Sequence, residues 1–78
     1  MTIPAVLDAG DGVTIKREAA LGAARHVIAA TAIALDQDPI DEMGLDLATS
    51  NLAYLLGGDH WFGYANALIE VVEKEMER

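Results

Sequence analysis

Apolar residues recur at helical spacing through most of this chain, and glycine and proline divide the pattern into three segments. In the first, about 14–36, the large residues Ile15, Leu21, Val27, Ile28, Ile33 and Leu35 alternate with Ala19, Gly22, Ala23, Ala30 and Ala34. Only a strip through Thr14, Glu18, Arg25 and Asp36 is polar. A helix apolar nearly all round is central in its fold or covered by another subunit. Thr14 is its candidate N-cap, and Pro39 ends it by disfavouring helical geometry at Asp38.

The second segment, about 39–56, has Asp38 as N-cap and Pro39 in its first turn, with Asp41 and Glu42 where the helix dipole favours negative charge. Gly44 offers a break into a short turn, 39–43, and a main helix, 46–56, with Asp46 as a second cap. Leu45, Leu47, Ala48, Leu52, Tyr54, Leu55 and Leu56 are expected on the buried side, with Asn51 inside the same arc. Gly57 and Gly58 then stand where a helix needs a left-handed C-terminal residue. Asp59 follows as N-cap of a third helix, about 59–77. Trp61, Ala65, Leu68, Ile69, Val72 and Met76 line one face of it, and Asn66, Glu70, Glu73 and Glu77 the opposite one. GGDHWFG (57–63) is therefore read as stop, turn, cap and start.

Residues 1–12 read as an extended or one-turn lead-in, with DAGDG (8–12) as a turn signal; a small hairpin over VLDAGDGVTIK is the alternative. The pattern predicts an all-α single domain over 1–78, a small bundle of three main helices with a short N-terminal lead-in.

Composition adds a tension to that picture. Apolar residues make up 53% of 78 positions, yet the net charge is −8. Without cysteine, neither disulfides nor thiolate metal sites supplement the core. A chain this short with this much apolar surface is expected to rely on a partner or on copies of itself. The start lacks the basic and apolar regions of a signal peptide, and the run at 19–35 is alanine-rich with Arg25 and His26 inside it; the expectation is a cytoplasmic protein that does not enter the membrane.

Chemistry-bearing residues are few. His26 and His60 have no H-x₃-H or H-E-x-x-H spacing, and Ser50 is the sole serine, so no catalytic or metal role and no cofactor is expected. His26 is placed at the core rim, facing Asn51. DAGDG fails as a calcium loop because glycines stand where oxygen ligands are required. GLDLATS (44–50) resembles the Asp-Ser-Leu motif of acyl carrier proteins, which are also small, helical and acidic. Asp46 is followed by Leu47, however, and Ser50 comes a turn too late to carry the phosphopantetheine.

What remains is acid and aromatic rings. No Lys or Arg occurs from Val27 to Glu73, a window holding Asp36, Asp38, Asp41, Glu42, Asp46, Asp59, Glu70 and Glu73. Such a field disfavours direct contact with nucleic acid and favours a basic protein surface. Tyr54, Trp61, Phe62 and Tyr64 fall within eleven residues; Phe62 and Tyr64 flank the core face of the third helix on opposite sides, so one is expected at an interface. The expected partner-binding set is Asp36, Asp38, Asp41, Glu42, Phe62, Tyr64, Asn66, Glu70, Glu73 and Glu77. In size and charge the chain resembles the small acidic inhibitors of phages and mobile elements, anti-CRISPR proteins among them, some of which mimic nucleic acid. A homo-oligomeric scaffold, with helix one between subunits and a ligand site near Arg17, Arg25 and His26, is the alternative.

Overall fold

The lead-in folds back on itself. Val6-Leu7-Asp8 and Thr14-Ile15-Lys16 each place one apolar residue between outward-facing neighbours, the period-2 pattern of a half-buried strand. In a computed structural model, which describes residues 3–10 and 12–76, these become β1 (Val6–Asp8) and β2 (Thr14–Lys16). They pair antiparallel, with Val6 opposite Lys16, Leu7 opposite Ile15 and Asp8 opposite Thr14. The Asp8 carboxylate accepts the Gly10 N–H at 2.8 Å, and Gly10 and Gly12 take φ of 87° and 86°, which side chains resist. The hairpin alternative therefore holds, and Thr14 is a strand residue rather than a helix cap. Burial decides the matter: Leu7 is fully enclosed, and pairing satisfies the backbone that must accompany it.

The first helix, α1 (Arg17–Leu35), thus begins three residues later than its pattern suggested. The Arg17 backbone N–H and guanidinium donate to the carbonyls of Ala5 (2.9 Å) and Ile3 (3.1 Å), tying the hairpin to its first turn. Its last turn closes with Asp36 in the left-handed region (φ 54°); the Asp36 and Gln37 N–H groups donate back to Ile33 and Ala32. By length and composition alone α1 could cross a membrane. In the fold its Ala20, Ala24, Val27, Ile28 and Thr31 are buried against the other elements, while His26, Ala29, Ala30 and Ile33 face outward. It is buried on one side only, and is not the central helix that its nearly all-round apolar pattern suggested.

The second helix, α2, spans Glu42–Leu56, and its N-cap is Asp41 rather than Asp38. The Asp41 carboxylate accepts the Gly44 N–H at 2.9 Å and a Gln37 amide N–H at 2.9 Å, and Gln37 Oε1 accepts the Asp41 N–H. Residues 37–40, including a cis Asp38–Pro39 peptide, form a connection in which Ile40 packs over Gly44. Gly44 consequently does not break the helix: the absence of a side chain is what lets Ile40 lie across it. The buried residues of α2 are Gly44, Ala48, Thr49, Leu52 and Ala53. Leu45 and Leu56 are half-buried, whereas Leu47, Asn51, Tyr54 and Leu55 are exposed, contrary to the expected buried arc. Small residues occupy the line of closest approach, so the larger ones just beyond it stay outside. Asn51 and His26 are both on the surface.

Gly57 and Gly58 (φ 157° and 120°) end α2, with the Gly58 N–H reaching back to Ala53 at 2.9 Å. Asp59 then lies in a 3₁₀ turn, Asp59–Trp61, instead of capping α3 directly; α3 is Phe62–Met76. The turn swings Trp61 into full burial among Leu7, Ile28, Leu52, Leu68 and Val72, the other large fully buried side chains. Ala65, Leu68, Ile69 and Val72 carry the predicted core face of α3, but Met76 at its end is exposed. The result is a bundle of three helices with a hairpin lead-in, and α1, α2 and α3 all contact one another.

Two expected outcomes follow from this packing. Leu7→Ala should lower unfolding free energy by about 2–5 kcal/mol, measured by urea denaturation, because the hairpin is part of the core. A methyl group at Gly44 would stand 2.5 Å from Ile40 Cγ1 and 2.6 Å from Gln37 Oε1, whereas one at Gly22 meets open space. Gly44→Ala should therefore destabilise despite alanine's better helix propensity, and Gly22→Ala should stabilise by about 0.4–1 kcal/mol in the same assay.

Candidate functional site

The helical repeat aligns Glu42, Asp46 and Thr49 along one edge of α2, and Phe62, Asn66, Glu70 and Glu73 along the facing edge of α3. Where these edges meet lies an open groove of about 370 Å³, lined by Glu42, Asp46, Thr49, Asn66, Glu70 and Glu73, with Leu45 and Ile69 between them. Thr49 donates its hydroxyl to the Leu45 carbonyl at 2.9 Å, so its polar atom is already engaged within the helix. Among the described residues the one base at this edge is Lys74, whose Nζ stands 3.8 Å from Glu70 Oε1; both side chains are well exposed, and such a pair adds only a few tenths of a kcal/mol. The groove is a strip of carboxylates over an apolar floor.

Four of the expected residues, Glu42, Asn66, Glu70 and Glu73, come together here. Phe62 is 49% exposed and stands one turn before Asn66 on the same line, which puts an apolar ring at the far end of the acidic strip. Tyr64 lies on the other flank: its hydroxyl donates to the Asp8 carbonyl at 3.3 Å and its ring is 5.7 Å from that of Trp61. Of the two rings, Phe62 is the one left outside. Asp36 sits at the end of α1, and Asp41 is committed to capping α2. Asp38 lies on the connection between them, and Glu77 is outside the described residues. Asp46 and Thr49 were missed as site residues, although the spacing 42, 46, 49 carried the signal.

A second, larger cleft of about 720 Å³ opens between α1, the 37–40 connection and the end of α3. Its walls are mainly aliphatic: Ile28, Ala32, Ile40, Leu45, Val72 and Met76. At its rim the Arg25 guanidinium donates to both Glu75 carboxylate oxygens at 3.2–3.3 Å. Arg17 is held at the hairpin and His26 faces outward from α1, so the three basic residues do not form one site.

Among the described residues no group of three or more His, Asp or Glu side chains is placed to hold a metal ion. Every buried side-chain nitrogen and oxygen among them has a hydrogen-bond partner. Compared with protein families, curated proteins and solved structures, the chain matches none of them.

Proposed function

We infer that this protein is a binding module that acts by engaging a basic surface on another protein through the groove between α2 and α3. The observation that carries this is the gathering of Glu42, Asp46, Glu70 and Glu73 around one groove whose single neighbouring base among the described residues, Lys74, pairs with Glu70. Carboxylates in two rows, one on each helix edge, offer a cationic surface two parallel lines of acceptors. The net charge of −8 adds long-range attraction, which raises association rates more than it raises final affinity. Phe62 supplies the apolar contact that charge alone lacks, since desolvated aromatic anchors carry most of the energy at such interfaces.

An inhibitor or regulator follows naturally from this chemistry. Rows of carboxylates can stand in for nucleic-acid phosphates and occupy the basic channel of a protein that handles DNA or RNA. Size, acidity and the two-row arrangement support that role.

The test begins with immobilised protein and extract from the native host. A partner retained by the wild type should elute at roughly 0.5 M NaCl, because exposed charge pairs are screened within about 3–10 Å at such ionic strengths. Glu70→Lys combined with Glu73→Lys should abolish retention while leaving the circular dichroism spectrum and the melting temperature unchanged within about 3 °C. Phe62→Ala should weaken binding of the identified partner by about tenfold. Duplex DNA in the wash should displace a nucleic-acid-binding partner. Equal retention of the same partner by the double charge reversal would exclude the groove as the binding surface.

A further inference from the structure

The face of α2 turned away from the core is unusually apolar. Met43, Leu47, Tyr54 and Leu55 are 80%, 45%, 85% and 61% exposed; helical spacing sets Met43, Leu47 and Tyr54 on the side opposite buried Leu52, with Leu55 on its flank beyond Asn51. Together they leave on the order of 500 Å² of mostly apolar surface in water, in reach of the ~800 Å² each partner contributes to a standard interface.

The distribution of charge along α2 indicates what covers it. Glu42 and Asp46 lie in its first half, and no charged residue occurs from Leu47 to Gly58. A basic partner helix laid along the stripe would find carboxylates beside Met43 and none over the turns that carry Tyr54 and Leu55. Two copies of α2 running parallel would set Glu42 against Glu42 and Asp46 against Asp46. Two antiparallel copies set each acidic half against the uncharged half of the other and oppose the helix dipoles favourably.

We propose that this protein self-associates into a two-fold dimer through the outer face of α2, packed antiparallel, with Met43 of each copy against Tyr54 of the other and the dyad near residues 48–49. The same surface patch serves both copies, as a closed two-fold interface requires. Tyr54 is its anchor: a large ring with two rotatable bonds, 85% exposed, at the end of the stripe that meets Met43 of the other copy. The exposed side of α1 is not part of the contact. The α2–α3 groove lies on the neighbouring side of α2, so the dimer would carry two such grooves, yet its existence does not depend on what binds them.

Sedimentation equilibrium of the full chain, from about 1 to 500 µM, tests this directly. The expected mass is twice the 8.3 kDa of one chain at the upper concentrations. Dimerisation should strengthen with added NaCl, because salt screens the repulsion between two copies of charge −8. Binding of a basic partner should weaken over the same range, which separates failure of the dimer from failure of the groove. Tyr54→Lys should raise the dimer dissociation constant at least about 30-fold with an unchanged circular dichroism spectrum. Ile33→Lys, at an 81% exposed site on α1, should leave it within about twofold.

Because the chain has no cysteine, single substitutions report the register. Ser50→Cys, near the dyad, should form an intermolecular disulfide under mild oxidation. Met43→Cys should not, since the two copies of residue 43 would stand about 16 Å apart along the helix axis, beyond disulfide reach. A monomer at 500 µM, loss of the dimer in Ile33→Lys but not in Tyr54→Lys, or equally ready linkage through Met43→Cys would each overturn the proposal.

Discussion

The burial of Trp61 is the interaction on which the rest of this fold depends. α1 and α2 meet the core partly through alanine, with Ala20 and Ala24 on one and Ala48 and Ala53 on the other, beside the larger Val27, Ile28 and Leu52. Small residues let helix axes approach closely, but they fill little volume, and protein interiors tolerate few voids. One large ring, delivered from the 3₁₀ turn between α2 and α3, supplies what the alanines do not. The two glycines before it take backbone angles that few other residues accept, and they turn the chain sharply enough to bring Trp61 inward. The GGDHWFG stretch is thus a corner whose purpose is to place a plug. Phe62, the very next residue, is left at the surface by the same geometry.

Close alanine contacts also explain why the outside is so apolar. Where helices touch through methyl groups, the larger side chains one position further round have nowhere to go but outward. Leu47, Tyr54 and Leu55 on α2 and Ile33 on α1 are in this position. Solubility then falls to carboxylates, which crowd the neighbouring edges of α2 and α3. The acidic groove and the apolar stripe are two results of one packing solution, and a surface with both features is suited to contact with other macromolecules.

The three helices were legible because their signals were strong and local. A 3.6-residue period, Pro39, and the Gly57–Gly58 pair mark them well. The face of α3 could be read almost residue by residue, since its polar and apolar positions separate cleanly. The faces of α1 and α2 could not, because a helix with apolar residues on most sides does not say which side its neighbours will cover. Asn51 illustrates the problem: it lies among leucines in the sequence and in water in the fold. The start of α1 was misplaced because Thr14 suits both a cap and a strand, and only the long-range need to cover Leu7 selects the strand. At the groove, Glu42, Asn66, Glu70 and Glu73 were recognisable as acid and amide on helix faces, while the meeting of the two helices was not. Asp46, read only as a cap and as part of the acidic window, and Thr49 stayed outside the expected binding set for that reason.

The hairpin joins parts of the chain that are far apart in sequence. Tyr64 bonds to the carbonyl of Asp8, 56 residues earlier, and Leu7 lies in the same core as Val72. Neither the first strand nor the last helix therefore has a hydrophobic interior of its own to keep. A partly opened form that retained one without the other would leave leucine and valine in water with no compensating contact. Opening at either end must spread through the whole molecule, so the backbone N–H groups of the hairpin and of α3 should share a single free energy of exposure, the hallmark of one cooperative unit.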